Sequence, residues 1–250
     1  DRMKELGVVE FLDKARERGL IRFAGFSFHG KKDDFPRIID EYDGWTFAQM
    51  QYNYIDITYQ AGYSGLRYAA DKGLGLVVME PLKGGRLAKS LPPEMKAVFD
   101  SRPEGWSPAE WALRYVWDEP GVSLLLSGMN EAQQLEENLR VAGTTEPHSQ
   151  TSEQRAVYEA ARNAMKARMK ADCSACRYCQ PCPCGVEIPE ALAALNVASI
   201  WDTKDPMFTG YGRIKVKPSA CTECGQCETM CPQELPIREL LKETTRVFGG

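Results

Sequence analysis

At 250 residues, with a formal net charge of −4 and a pI near 5.5, the chain is long enough for one large or two modest cores. Its mild, scattered acidity argues against a nucleic-acid or membrane-surface partner; no apolar run approaches the roughly 18 residues of a membrane span, and no signal peptide opens it. All nine cysteines stand at or beyond Cys173, which excludes a secreted disulfide framework and points to a metal module joined to a cysteine-free domain in a reducing cytoplasm.

The first residues, "DRMKELG", lack an initiator Met and already sit in a helical pattern, so the sequence reads as a piece of a longer chain. "VVEFLDKARERG" spaces Val8, Phe11, Leu12 and Ala15 as a helix with Gly19 at its C-terminal cap, and "LIRFAGFS" follows as a strand. The order helix, glycine, strand returns in "FPRIIDEYDG" before "WTFAQMQY", in "LRYAADKG" before "LGLVVMEP", and in "WALRYVWDEPG" before "VSLLLSG". "ARERGLIRFAGFS" and "AADKGLGLVVMEP" place the helix end, the Gly-Leu pair and the strand alike. Alternating helices and apolar strands build a parallel sheet flanked by helices. Four such units make half of a (β/α)8 barrel; a small open α/β sheet is the alternative, although no glycine-rich dinucleotide fingerprint follows any strand.

Polar residues gather at the C-terminal strand ends, where barrels carry their chemistry. Ser27 and His29 close the first strand; Gln49, Gln51 and Asn53 lie along the second. Glu80 and Lys83 follow the third, and Ser127 ends the fourth. Asn130 and Gln133 are spaced as a capping box for a following helix, whose N-terminus offers an anion site.

"IRFAGFSFHG", "FAQMQYNYID", "GLVVMEPLKGGRLA" and "LLLSGMNEAQQLEENL" resemble, in order and spacing, the second half of the aldo/keto reductase barrel over roughly residues 5–142. The resemblance implies NAD(P)H at the barrel mouth and reduction of a small carbonyl substrate. It implies further that Ser27 and Gln49 hold the nicotinamide carboxamide and that the loop from Met79 to Arg86 covers the pyrophosphate. Gly128, Met129, Gln134 and Asn138 would line the adenosine end. This chain departs from the family in having Phe28 and His29 after the serine, and Met79 where an aromatic ring often stacks. At Gly128 and Gln134 it has no charge to grip a 2′-phosphate. The family's catalytic Asp, Tyr, Lys and His belong to strand ends upstream of Asp1, so no catalytic residue is expected within the chain.

"TSEQRAVYEAARNAMKARMKAD" opens with a Thr151–Gln154 capping box and aligns Val157, Ala160, Ala161, Ala164 and Met165 on one face. It is expected to link a barrel part, residues 1–148, to a cysteine module at 173–250, the linker itself spanning 149–172.

Within that module Cys221, Cys224, Cys227 and Cys231-Pro232 form C-x2-C-x2-C-x3-C-P, a [4Fe–4S] run whose fourth cysteine serves the other cluster. Cys173, Cys176 and Cys179 supply a second triplet, with Cys182 or Cys184 as the fourth thiol. Cys182 is chosen, because Pro183 follows it as Pro232 follows Cys231. Zinc competes, but its sites favour paired rather than tripled spacing. Helices are expected after each loop, in "IPEALAALNVASIW" and "LPIRELLKETTRVF", which is similar to the α-helical ferredoxin type. Modules of this type also end some bacterial and archaeal aldo/keto reductases. The combination implies an oxidoreductase coupling nicotinamide chemistry to one-electron transfer through two [4Fe–4S] clusters. Its partner would be a ferredoxin-like carrier or a flavin, because hydride moves two electrons at once. A non-catalytic electron-transfer or redox-sensing protein is the alternative.

Overall fold

Every apolar run expected as a strand is one in the computed structural model, which describes residues 2–249. Asp1 and Gly250, the outer bounds of the two expected domains, lie outside the described residues. The strands are β1 (Ala24–Ser27), β2 (Trp45–Gln51), β3 (Gly75–Met79) and β4 (Val122–Leu125), parallel and adjacent in chain order. Ahead of them run α1 (Val8–Glu17), α2 (Asp34–Asp40), α3 (Gly62–Asp71) and α4 (Pro108–Trp117), so four helix–strand units form one side of a (β/α) barrel. β1 is shorter than its apolar run, and Leu20 and Phe23 ahead of it are exposed.

Strand residues alternate between two faces. Ala48, Met50, Leu76 and Val78 are fully buried against Phe35 of α2 and Leu66 and Ala69 of α3. Each large aliphatic side chain buried there contributes roughly 1.5–3 kcal/mol. The approach is close at Gly65, where an added Cβ would stand 2.6 Å from the Cβ of Ala61 and 3.0 Å from the Phe35 ring. The opposite face carries Ser27, Gln49, Gln51, Val77 and Met79, only partly covered or exposed.

Two further helices follow β4: α5 (Ala132–Thr144) and α6 (Ser152–Ala167). The capping box of α6 is complete, with Gln154 N–H donating to Thr151 Oγ1 at 3.2 Å and Thr151 N–H donating to Gln154 Oε1 at 3.0 Å. That of α5 is not as expected. Its N-cap is Glu131, and Gln134 rather than Gln133 accepts from the Asn130 amide, at 3.3 Å. On α6 the expected apolar face is shifted: Ala160 is exposed, while Val157, Tyr158 and Ala161 are buried. Tyr158 anchors the first half of that helix, its hydroxyl donating to the Trp111 carbonyl at 2.9 Å and accepting from Gln150 Nε2 at 2.9 Å.

The chain divides within α6. One unit holds the chain up to Leu91 with Val98–Glu159; the other holds Pro92–Ala97 and the chain from Ala160 onward. The second unit is built on α7 (Ile188–Trp201) and α8 (Ile237–Phe248), the helices expected after each cysteine loop. Pro189 stands in the first turn of α7, where its missing N–H costs nothing. Leu192, Leu195, Ile237 and Leu241 bury the seam between the two helices. Asn196 is a buried polar residue of α7: its Oδ1 accepts from the amides of Lys170 and Ala171 at 2.8 and 2.9 Å, and its Nδ2 donates to the Ala171 carbonyl at 2.7 Å. This bond set docks the segment that leads into the first cysteine loop.

Candidate functional site

In the first unit, strand register assembles the rim. Ser27 pairs with Gln49, and Gln51 pairs with Met79. Gln49 and Met79, on neighbouring strands, project from the partly open face, and Gln49 Nε2 lies 3.5 Å from Ser27 Oγ and 3.8 Å from Met79 Sδ. Three residues expected to meet a nicotinamide therefore do stand together. His29 is exposed, its Nε2 3.5 Å from Ser27 Oγ. His148 lies away from this row, with its amide on the Asp118 carbonyl.

The loop after β3 is sharply curved, with positive φ at Glu80, Lys83, Gly84 and Gly85 (59, 49, 63 and 82°). At Gly85 an added Cβ would meet nothing, so it is this curvature, rather than lack of room, that favours glycine there. The loop is pinned by a network that sequence reasoning missed. Asp56 Oδ2 accepts from Lys83 Nζ at 2.5 Å, from Gln51 Nε2 at 2.9 Å and from Asn53 Nδ2 at 3.1 Å. The fully buried Asn53 also donates to the Glu80 carbonyl at 3.0 Å. Gln51, Asn53, Glu80 and Lys83 were legible as rim residues; Asp56, their common acceptor, sits in an irregular segment without a periodic signal.

Gly128, Met129, Gln134 and Asn138 line one cavity of about 590 Å³ with the Glu80–Lys89 loop. Asn138 Nδ2 donates to Ser127 Oγ at 3.1 Å and approaches Met129 Sδ at 3.2 Å, which fixes the end of β4 against α5. Arg86 lines a neighbouring cavity with Gln51, Asp56, Tyr59 and Lys83. The residues expected to bind a dinucleotide thus fall into two groups along one rim, the Ser27 row and the Gly128 cavity, with Arg86 in the loop whose residues line both neighbouring cavities.

In the second unit the cysteines surround two cavities. Cys173, Cys176, Cys179 and Cys231 line a narrow one, with Ile188, Leu192, Leu235 and Ile237 as apolar walls. Cys182, Cys184, Cys221, Cys224 and Cys227 line a wider one, which Cys179 also borders. The third thiol of each motif is partly withdrawn from water: burial pushes Cys227 up to about 11, and it raises Cys179 as well. Metal binding releases these protons. Just ahead of α7, Glu187 Oε1 accepts from the amides of Lys215 and Val216 at 2.6 and 3.2 Å, which ties this helix start to the segment before the second cysteine loop. Among the described residues, no group of three or more His, Cys, Asp or Glu side chains forms a site for a single metal ion. The donors are all thiols, set around cavities in a triplet plus one distant member, and this donor set fits a cubane with a cysteine at each iron.

The description "Aldo/keto reductase family" fits residues 4–159, and "4Fe-4S dicluster domain" fits residues 172–235. A search of curated proteins gave no match. Among solved structures, the thermostable aldo-keto reductase Tm1743, determined with the inhibitor epalrestat, is similar at 18% identity with a TM-score of 0.50. The match covers 61% of this chain and 53% of that one. The aldo-keto reductase AKR11C1 from Bacillus halodurans, in its holo form, has 22% identity and a TM-score of 0.49, over 61% and 54% of the two chains. The chain spans about half the length of these structures. No helix among the described residues is long and apolar enough to cross a membrane.

Proposed function

Since this chain belongs to the aldo/keto reductase family and carries a 4Fe–4S dicluster segment behind the family region, we propose that it is part of an iron–sulfur oxidoreductase. In this reading the first unit binds NAD(P)H, and the second holds two [4Fe–4S] clusters that exchange single electrons with a ferredoxin-like protein or a flavin. Reduction of a small carbonyl compound is the reaction so coupled, in a reducing cytoplasm.

The observation that carries the nicotinamide half is the meeting of Ser27, Gln49 and Met79 on one strand-end row. The Ser27 hydroxyl and the Gln49 carboxamide can each donate and accept, which suits them to bracket another carboxamide. The thioether of Met79 offers a polarizable surface beside them. The Lys83–Asp56 pair keeps the loop after β3 in its curved form, and the cavity of Gly128, Gln134 and Asn138, which Glu80, Lys89 and Glu137 also line, provides hydrogen-bonding groups farther along the rim. We assign no proton donor for the carbonyl oxygen within the chain.

A bound nicotinamide supplies a hydride and a bound cluster supplies one electron, so direct exchange between them needs a flavin or a radical-stabilising substrate. In the second unit the protein's own part is to present eight thiolates in two sets and to exclude bulk water with the aliphatic walls of α7 and α8.

The test is anaerobic addition of NADH to the cluster-loaded chain, with and without added flavin. The proposal expects NADH binding that weakens about tenfold in Gln49→Leu, through loss of one or two hydrogen bonds, and bleaching of the cluster absorbance only with flavin present. Absence of NADH and NADPH binding would defeat the nicotinamide half; identical binding by Gln49→Leu would remove Gln49 from it.

A further inference from the structure

Between the two cysteine motifs, "KDPMFTGYGRIKVK" (residues 204–217) carries four basic residues against one acid, in a chain whose formal net charge is −4. The acid, Asp205, is engaged by the backbone, accepting from the amides of Met207 and Phe208 at 2.9 and 3.4 Å. The chain is extended at Ile214 and Lys217, so that side chains alternate between two faces. Ile214 is buried and Val216 packs against the same core, while Arg213 and Lys215 are exposed. Among the described residues, neither Arg213 nor Lys215 has a carboxylate as an ion-pair partner. Lys217 follows in the same alternation; its Nζ donates to the Tyr211 carbonyl at 2.6 Å and lies 4.2 Å from the centre of the Tyr211 ring. Met207, 65% exposed, lies over Gly212, where an added Cβ would stand 3.3 Å from its Sδ.

This strip is anchored beside the wider thiol cavity. Glu187 Oε1 accepts from the Lys215 and Val216 amides, and the Glu187 amide donates to the Val216 carbonyl at 3.5 Å. The one carboxylate at the strip is thus committed to its backbone. Val216 reaches Gly185, where an added Cβ would stand 3.6 Å from a Val216 methyl. Gly185 follows Cys184, and Lys217 leads through a single turn, Pro218–Ala220, into Cys221. Cys184 and Cys221 both line the wider cavity, so the strip borders it at two points.

Protein electron carriers meet their partners in small, transient contacts steered by opposite charge. On the reading that the wider cavity holds a [4Fe–4S] cluster, we propose that Arg213, Lys215 and Lys217, with Met207 beside them, form the docking face for a small acidic electron-carrier protein. One electron passes from the reduced carrier to the oxidised cluster, so the carrier is oxidised by one electron and the cluster reduced by one. No bond is made or broken, and no proton moves. The strip speeds the encounter and is not needed to hold iron.

The test follows the cluster absorbance of the full, iron-loaded chain by anaerobic stopped flow, with a reduced acidic ferredoxin as donor. The second-order rate should fall about tenfold or more between about 0.02 and 0.3 M salt. Arg213→Gln combined with Lys215→Gln should cut the low-salt rate about tenfold and flatten the salt dependence. The same double variant should keep about eight irons per chain and an unchanged rate with the uncharged deazariboflavin radical as reductant. Lys14→Gln with Arg18→Gln removes the same charge from the first unit and should leave the carrier rate within about twofold. Equal slowing by the two pairs would overturn the inference, since net charge alone would then act. An unchanged rate in the Arg213 and Lys215 variant would overturn it too, as would loss of its iron, which would make the strip a support of the cluster itself. If that variant instead loses binding of a single-stranded oligonucleotide with its carrier rate intact, the face is a nucleic-acid surface and the inference falls. It falls equally if the wild type reacts with neither a reduced acidic ferredoxin nor a reduced acidic flavodoxin. Failure of the wild-type chain to take up iron and sulfide is a separate result, which would defeat the cluster reading itself.

Discussion

Glu110 shows how a single buried charge stabilises the first unit. Its carboxylate is 4% exposed and meets Arg114 at 2.8 Å and Arg140 at 2.6 Å. Burial alone would raise its pKa, but hydrogen bonds from Arg140 and Arg114 outweigh that and hold it below the ordinary carboxylate range. A depressed native pKa means stability that is present above the unfolded value, near about 4.3, and lost as pH falls through the native one. Chemical denaturation should therefore show Glu110→Gln destabilised by about 2–3 kcal/mol at neutral pH, with a shallower loss of stability on acidification than wild type. Asn196 plays the comparable part in the second unit. Asn196→Ala leaves the Lys170 and Ala171 amides without their acceptor, at a cost of about 2–4 kcal/mol, and should lower the temperature at which cluster absorbance is lost. An unchanged melt would show that the first cysteine loop is docked by other contacts. Asn196 stands in the apolar run "IPEALAALNVASIW", and its partners lie 25 and 26 residues away in the chain, beyond the reach of local pattern.

At the level of elements, periodicity carried most of the reading. The four strands and the helices before them each have one apolar face with a regular period, so type and order were legible, while the start of β1 was not. The α6 capping box was legible because its bonds join residues three apart. The α5 box was misplaced by one residue because Gln133 and Gln134 are both suited to it and only the backbone turn chooses. The apolar face of α6 was misread for a different reason. Tyr158 is a polar-tipped residue whose burial depends on Trp111 and Gln150, neither of which belongs to the helix. Of the candidate site, the thiol spacing needed no tertiary information. The Asp56 network did, since it joins segments that meet only when β2 and β3 pair. The crossed arrangement of the cysteine loops makes a separate prediction: Cys231→Ser should cost about four irons from the cluster of the first triplet and leave the second intact. Loss from the second triplet's cluster instead would mean that each loop supplies all four of its own ligands.

For the whole molecule, the exposed face of the sheet sets its solution behaviour. Parallel sheets are usually covered on both faces, yet Leu124 and Leu126 here are 45% and 41% exposed. Light scattering should show concentration-dependent self-association of this chain, reduced in the double substitution Leu124→Lys and Leu126→Lys; a strictly monomeric wild type would show that the face is tolerated in water. The central claim, however, concerns the union of a barrel rim with two iron–sulfur sites, and the metal content tests it most directly. Anaerobically purified chain should contain about eight irons and about eight acid-labile sulfides. Zinc bound without sulfide would contradict the account, because the same cysteines would then serve a structural ion and no electron could pass through them.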